Sequence, residues 1–150
     1  NLYLDFIPSM VLPSGELAGP AGDGRVAAVA RSDLAEVAAA VLLDDGHDGS
    51  ALDVTGARAF TFAEAAEEMS ALSGRRIAYR DETLEEARAS RAGHGAPDWQ
   101  VEAWISTYAA VAAGELDVVS DTVERLTGHA PATLADYVRA HPESLAHVAG

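Results

Sequence analysis

This sequence predicts an α/β fold with mainly parallel strands, and three observations predict it. Short apolar runs alternate with segments of helical periodicity along the chain. The run Arg25 to Ala30 is almost wholly apolar, as strands buried on both faces are. Glycine-rich turns and capped helix starts separate the two kinds of segment, most clearly from Gly19 to Gly74.

The elements follow in order. Asn1 to Val11 carries Leu2, Phe6 and Ile7 at helical spacing, but Pro8 interrupts any helix there. Pro13-Ser14-Gly15 reads as a turn and Glu16 to Ala18 as a short strand. Gly19 to Gly24 is a loop, and Arg25 to Ala30 the next strand. Ser32 is the expected N-cap of a helix whose apolar stripe is Leu34, Val37, Ala38, Val41 and Leu42. Asp33, in its first turn, is expected to stabilise the helix start through the N–H groups and the dipole. Ser50 to Thr55 is a further strand after the Asp44–Gly49 loop.

Thr61 and Glu64 form a capping box, opening a helix with Phe62, Ala65, Ala66, Met69 and Leu72 inward and Gly74 as its stop. Arg76 to Tyr79 is the next strand, and Thr83 with Glu86 caps a short charged helix. Arg91 to Pro97 is a flexible break. Asp98 to Ala113 is an amphipathic helix holding Trp99, Val101, Trp104, Ile105, Tyr108 and Val111. Asp121 to Leu126 forms another short helix, stopped at Gly128. Thr133 caps the last, with Leu134, Tyr137 and Val138 on its buried side. So few strands do not make an independent doubly wound sheet, because a parallel sheet needs both faces covered. The sequence is therefore expected to be part of a larger domain, beginning within it.

Composition narrows the function. With 150 residues, 49% hydrophobic and 23% charged, the chain can bury a core and is not a disordered segment. No apolar run approaches the roughly 18 residues of a membrane span. A net charge of −14 opposes binding to nucleic-acid phosphates. Cysteine and lysine are both absent. That excludes thiolate catalysis, Schiff-base chemistry and a Walker-type phosphate lysine within these residues.

The loops carry little chemistry of their own. Gly19 to Gly24 leads into a strand, whereas a dinucleotide turn leads into a helix, so it reads as a turn between strands. Asp44 to Gly49 lacks the alternating ligands of a calcium loop and reads as a solvated connection. The five histidines form no metal-binding pair, and no metal is expected. Tyr3 has two readings, as a packed aromatic with a satisfied hydroxyl or as the lining of a ligand site. Trp99, Trp104 and Tyr108 likewise read either as core or as the wall of an aromatic substrate pocket.

Taken together, Asn-Leu-Tyr-Leu-Asp-Phe at 1–6, the segment 19–42, Leu52 to Gly56 and Leu126 to Leu134 resemble the C-terminal half of NmrA-like proteins. These are atypical short-chain dehydrogenase/reductases, and the likeness is to their NAD(P)H:quinone oxidoreductase branch. The resemblance implies the C-terminal part of a Rossmann-type NAD(P)-binding fold with a small, mostly helical substrate lobe. It implies NADP or NAD as cofactor, held mainly by an N-terminal glycine turn that these residues do not contain. By similarity, Asn1, Leu2 and Tyr3 lie near the nicotinamide, and Phe6 continues toward the substrate. Trp99, Trp104 and Tyr108 are the other candidate substrate contacts.

The implied reaction is direct hydride transfer to a quinone or similar carbonyl acceptor, with Tyr3 as a hydrogen-bond donor to the acceptor oxygen. The expected partners are that small molecule and, as an assembly, a homodimer, with no nucleic acid and no membrane; the expected location is the cytoplasm. Two other functions fit the same residues. One is a non-catalytic dinucleotide-sensing regulator that binds proteins, and the other is a stand-alone binding module without cofactor.

Overall fold

A computed structural model of the protein describes residues 3–149, so Asn1 and Leu2 lie outside the described residues. Two 3-10 turns, Leu4–Phe6 and Pro8–Met10, open the chain. Then come β1 (Glu16–Gly19), β2 (Arg25–Val26), α1 (Arg31–Leu43), β3 (Phe60–Thr61) and α2 (Phe62–Ser73). β4 (Ala78–Asp81), α3 (Leu84–Arg91), α4 (Asp98–Ala112), α5 (Thr122–Thr127) and α6 (Leu134–Ala140) complete the order.

The helix ends lie where the sequence supplies partners for their free backbone groups. The Thr61 hydroxyl accepts the Glu64 N–H, and the Glu64 carboxylate accepts the Thr61 N–H. Thr83 with Glu86 does the same for α3, and Thr133 with Asp136 for α6. Gly74 and Gly128 end α2 and α5 in the left-handed conformation, with φ of 68° and 81°. Thr61→Ala is expected to cost about 1 kcal/mol. Urea unfolding checks this, and Thr61→Ser should retain most of the stability.

Pairing departs from the expected sheet. β1 and β4 are parallel, from Glu16 opposite Ala78 to Gly19 opposite Asp81. β2 and β3 are antiparallel, so the pairing is mixed and not parallel throughout. The apolar run 25–30 forms a ladder only at Arg25–Val26, and Val29 adds one parallel bridge to Tyr3. Between them, Ala27 bonds to Leu116 O and Gly56 N instead. The expected strand Ser50–Thr55 is not a named strand. There the Thr55 hydroxyl accepts from Ser120 N, and the Ser120 hydroxyl donates to Asp53 O. β4 starts two residues late, because the Ser70 hydroxyl takes both the N–H and the C=O of Ile77. Arg91 to Pro97, expected as a break, contains a 3-10 turn at Ala92–His94.

α1 also differs. It begins at Arg31, after Ala30, with no side-chain cap, and Ser32 is exposed inside it. Asp33 is buried, and its carboxylate accepts the N–H of Ala132 at 2.8 Å. Its acidic group therefore anchors the loop before α6, a long-range role beyond the helix start. Val37 is buried against Val123 of α5, whereas Ala38 and Leu42 of the expected stripe are exposed.

The main core joins Leu4, Ile7 and Leu17 to Phe62 and Met69 of α2, Tyr108 and Val111 of α4, and Leu134 of α6. Leu145 and Val148 of the C-terminal segment close it. A separate small cluster of Ala87, Val101 and Ile105 holds α3 against α4. No helix among the described residues is long and apolar enough to cross a membrane.

Candidate functional site

A cavity of about 470 Å³ lies between the N-terminal 3-10 turns and α4. Pro8 denies the chain a continuous helix, so residues 4–10 make two tight turns. These bury Leu4 and Ile7 and leave Phe6, Ser9, Met10 and Leu12 to line the cavity. Opposite them stand Trp104, Thr107 and Tyr108. On α4 each residue advances about 100°, so Trp104 and Tyr108 share a face while Trp99 lies about 140° away from Trp104. Trp99 is accordingly 72% exposed, in neither the core nor the wall of this cavity, apart from the other expected substrate contacts. Phe6, Trp104 and Tyr108 line the one cavity together.

Tyr108 is fixed in place. A Cβ on Gly19 would lie 2.2 Å from the Tyr108 ring, so the strand can pass there only as glycine. The Phe62 ring packs 5.3 Å from it, and the Arg91 guanidinium lies 5.2 Å from its ring centroid. Burial pushes its phenol up.

Tyr3 does not line the cavity. Its ring lies 6.3 Å from that of Phe6, placing it one side chain away. Phe6 in turn lies under the Arg31 guanidinium, which Asp5 holds by an ion pair.

The polar part of the wall was not legible in the sequence. Glu82 directly precedes the α3 cap, and its side chain is fully buried. Arg91 donates to one Glu82 oxygen at 2.7 Å, and Arg80 to the other at 3.0 Å. Arg91 also donates to Ala18 O and Ala87 O, and Arg80 reaches Glu16 at 2.9 Å. Burial opposes the Glu82 charge, but hydrogen bonds from Arg91 and Ser90 and the charges of Arg91 and Arg80 outweigh it. The carboxyl therefore sits below the ordinary glutamate range. Arg80 and Arg91 are near Glu82 in sequence, but their spacing matches no motif and the burial of Glu82 is set by packing, so no local pattern marks it.

The glycine loop does not fit a dinucleotide. The Tyr79 hydroxyl donates to Gly19 O and accepts the Ala21 N–H, and Asp81 accepts the Gly22 N–H at 2.8 Å. Loop amides that a pyrophosphate would need are thus committed, one of them to a carboxylate. The expected reading as a turn between strands is the observed one. Among the described residues no cluster able to hold a metal ion forms.

No family model matches the chain. It is 37% identical over 127 residues to the NAD(P)H azoreductase of Xenophilus azovorans, across 85% of this chain and 44% of that protein. It is 32% identical over 136 residues to quinone oxidoreductase 2 of Escherichia coli, across 91% of this chain and 47% of that protein. The structure of that NADPH-dependent enzyme complexed with NADPH superposes with a TM-score of 0.83, covering 92% of this chain and 48% of the other at 31% identity. The triphenylmethane reductase of Citrobacter sp., complexed with NADP(H), superposes at 0.82 with 29% identity, covering 93% and 50%. The chain thus spans about half the length of the curated relatives it matches.

Fold and similarity define the class: an α/β chain with the C-terminal part of a Rossmann-type NAD(P)-binding oxidoreductase fold. Within it, the chain is similar to about half of the length of quinone oxidoreductases and an azoreductase.

Proposed function

We propose that this chain is the acceptor-binding half of an NAD(P)H-dependent oxidoreductase that passes hydride to a quinone or similar carbonyl acceptor. The observation that carries the reading is the cavity walled by Phe6, Met10, Leu12, Trp104 and Tyr108. Its volume suits a small planar acceptor, and its walls are mostly apolar, as ligand sites are. NAD(P)H supplies the hydride when bound, and most of its binding surface belongs to a dinucleotide-binding half outside these residues. The residues here hold the acceptor flat and shed its water, which is the orienting contribution to such a transfer. Tyr3 lies beside Phe6 and outside the cavity wall, so its hydroxyl would donate a hydrogen bond only to an acceptor oxygen that reaches past the Phe6 ring.

α1 supports the two-half arrangement. Val37 packs on α5, whereas Leu42 and Leu43 are 84% and 88% exposed. A helix apolar on opposite sides is one that is covered on both. The dinucleotide-binding half is proposed to cover the outer side.

The test uses the chain itself. In Trp99→Phe, Trp104 is the remaining tryptophan. Adding 2-methyl-1,4-naphthoquinone is expected to quench its fluorescence saturably, and Thr107→Phe, which fills part of the cavity, should weaken that binding. Quenching that stays linear in quinone would defeat the proposal.

A further inference from the structure

The cavity wall carries two arginines, and neither charge is free. Arg91 is 13% exposed and gives its guanidinium to Glu82, Ala18 O and Ala87 O. Arg80 is bridged between Glu82 at 3.0 Å and Glu16 at 2.9 Å. Two positive and two negative charges therefore cancel beside an otherwise apolar cavity. The remaining titratable lining groups are His94, whose Nδ1 lies 3.1 Å from Arg91 O and whose ring meets Trp104 edge-on, and the Tyr108 phenol. Among the described lining residues, none presents an unpaired arginine to a bound molecule. The field of the whole chain, with its net charge of −14, also repels anions.

We infer that Glu82 is a specificity-determining residue: by neutralising Arg91 and Arg80 it makes the cavity select uncharged planar acceptors over anionic ones. This rests on the reading of the cavity as the acceptor site. Without Glu82, Arg91 would be a cation placed in an apolar wall, the arrangement that captures sulfonates and carboxylates. Glu82 thus decides which charge class of acceptor is accepted, although it need not touch the acceptor.

The experiment compares 2-methyl-1,4-naphthoquinone with 1,4-naphthoquinone-2-sulfonate, using Trp104 fluorescence in the Trp99→Phe chain. The neutral quinone is expected to bind about tenfold or more tightly, because the sulfonate gives up hydration beside a wall without a free cation and approaches a chain of net charge −14. Only the sulfonate should gain affinity as salt is raised. Glu82→Gln keeps the side chain's size and removes its charge. It should raise the ratio of sulfonate to neutral-quinone affinity about tenfold or more. Should that variant fail to fold, Glu16→Gln frees Arg80 from an ion pair open to solvent and should shift the preference the same way by a smaller factor.

Equal binding of the two quinones by the unmodified site, or an affinity ratio unchanged in a folded Glu82→Gln chain, overturns the inference and leaves the acceptor site standing. Binding of neither quinone removes both.

Discussion

Phe62→Ala is expected to destabilise the protein by about 3–5 kcal/mol, the range for truncating a buried aromatic. Phe62 is 1% exposed and is the first residue of α2, fixed in direction by the Thr61 cap before it. Its ring lies 5.9 Å from Tyr79 of β4 and 5.3 Å from Tyr108 of α4, so one side chain joins three elements. Removing it opens a space that those rings cannot fill without giving up their own contacts. Tyr79 holds the Gly19–Gly24 loop through its hydroxyl, and Tyr108 lines the cavity. The damage should therefore reach both. Against a typical total of about 5–15 kcal/mol, such a loss is visible in any denaturant titration. The urea midpoint should fall sharply, and Phe62→Leu, which leaves less space, should fall less. An unchanged midpoint for the alanine variant would show that these ring contacts do not hold the core together.

Glu82→Ala should cost a comparable amount, about 3–5 kcal/mol, because removing one partner of a buried ion pair strands the other. Arg91, 13% exposed, would lose its carboxylate while still enclosed by Ala18, Ala87 and Tyr108. The double variant Glu82→Leu with Arg91→Met should recover most of the loss, since an apolar pair leaves no stranded charge.

The same pair predicts an acid limb. The folded Glu82 carboxyl sits below its ordinary value, so the unfolded chain binds the proton more readily. Its contribution to stability is full above the ordinary glutamate range of about 4.3 and is lost as pH falls through the lower folded value. The Glu82→Ala chain should lack that part of the acid dependence, as unfolding free energies measured from pH 3 to 7 would show.

Much of the local structure was legible because its causes are local. A Thr with an acid three residues on satisfies two N–H groups within one turn, so Thr61, Thr83 and Thr133 announce their helices without knowledge of the fold. Gly74 and Gly128 announce their ends for the same kind of reason. Trp104 and Tyr108 were legible as a pair through helical geometry. The same geometry separates Trp99 from Trp104, and a simple inventory of aromatics on one helix passes over it.

The sequence by itself determined where α2, α3 and α6 begin and where α2 and α5 end, that the chain is acidic and lacks lysine and cysteine, and which family it resembles. Each of these depends on neighbours within a few residues or on plain composition. Tertiary structure alone decided that Asp33 anchors Ala132, that Ser50–Thr55 stays out of a ladder, and that Glu82 is buried between Arg80 and Arg91. The first two rest on partners brought from distant segments, such as Asp33 and Ala132, 99 residues apart, and the burial of Glu82 rests on how β4, α3 and α4 pack. A hydrogen bond or ion pair of that span leaves no periodicity in the chain, because its geometry exists only once the intervening elements have packed.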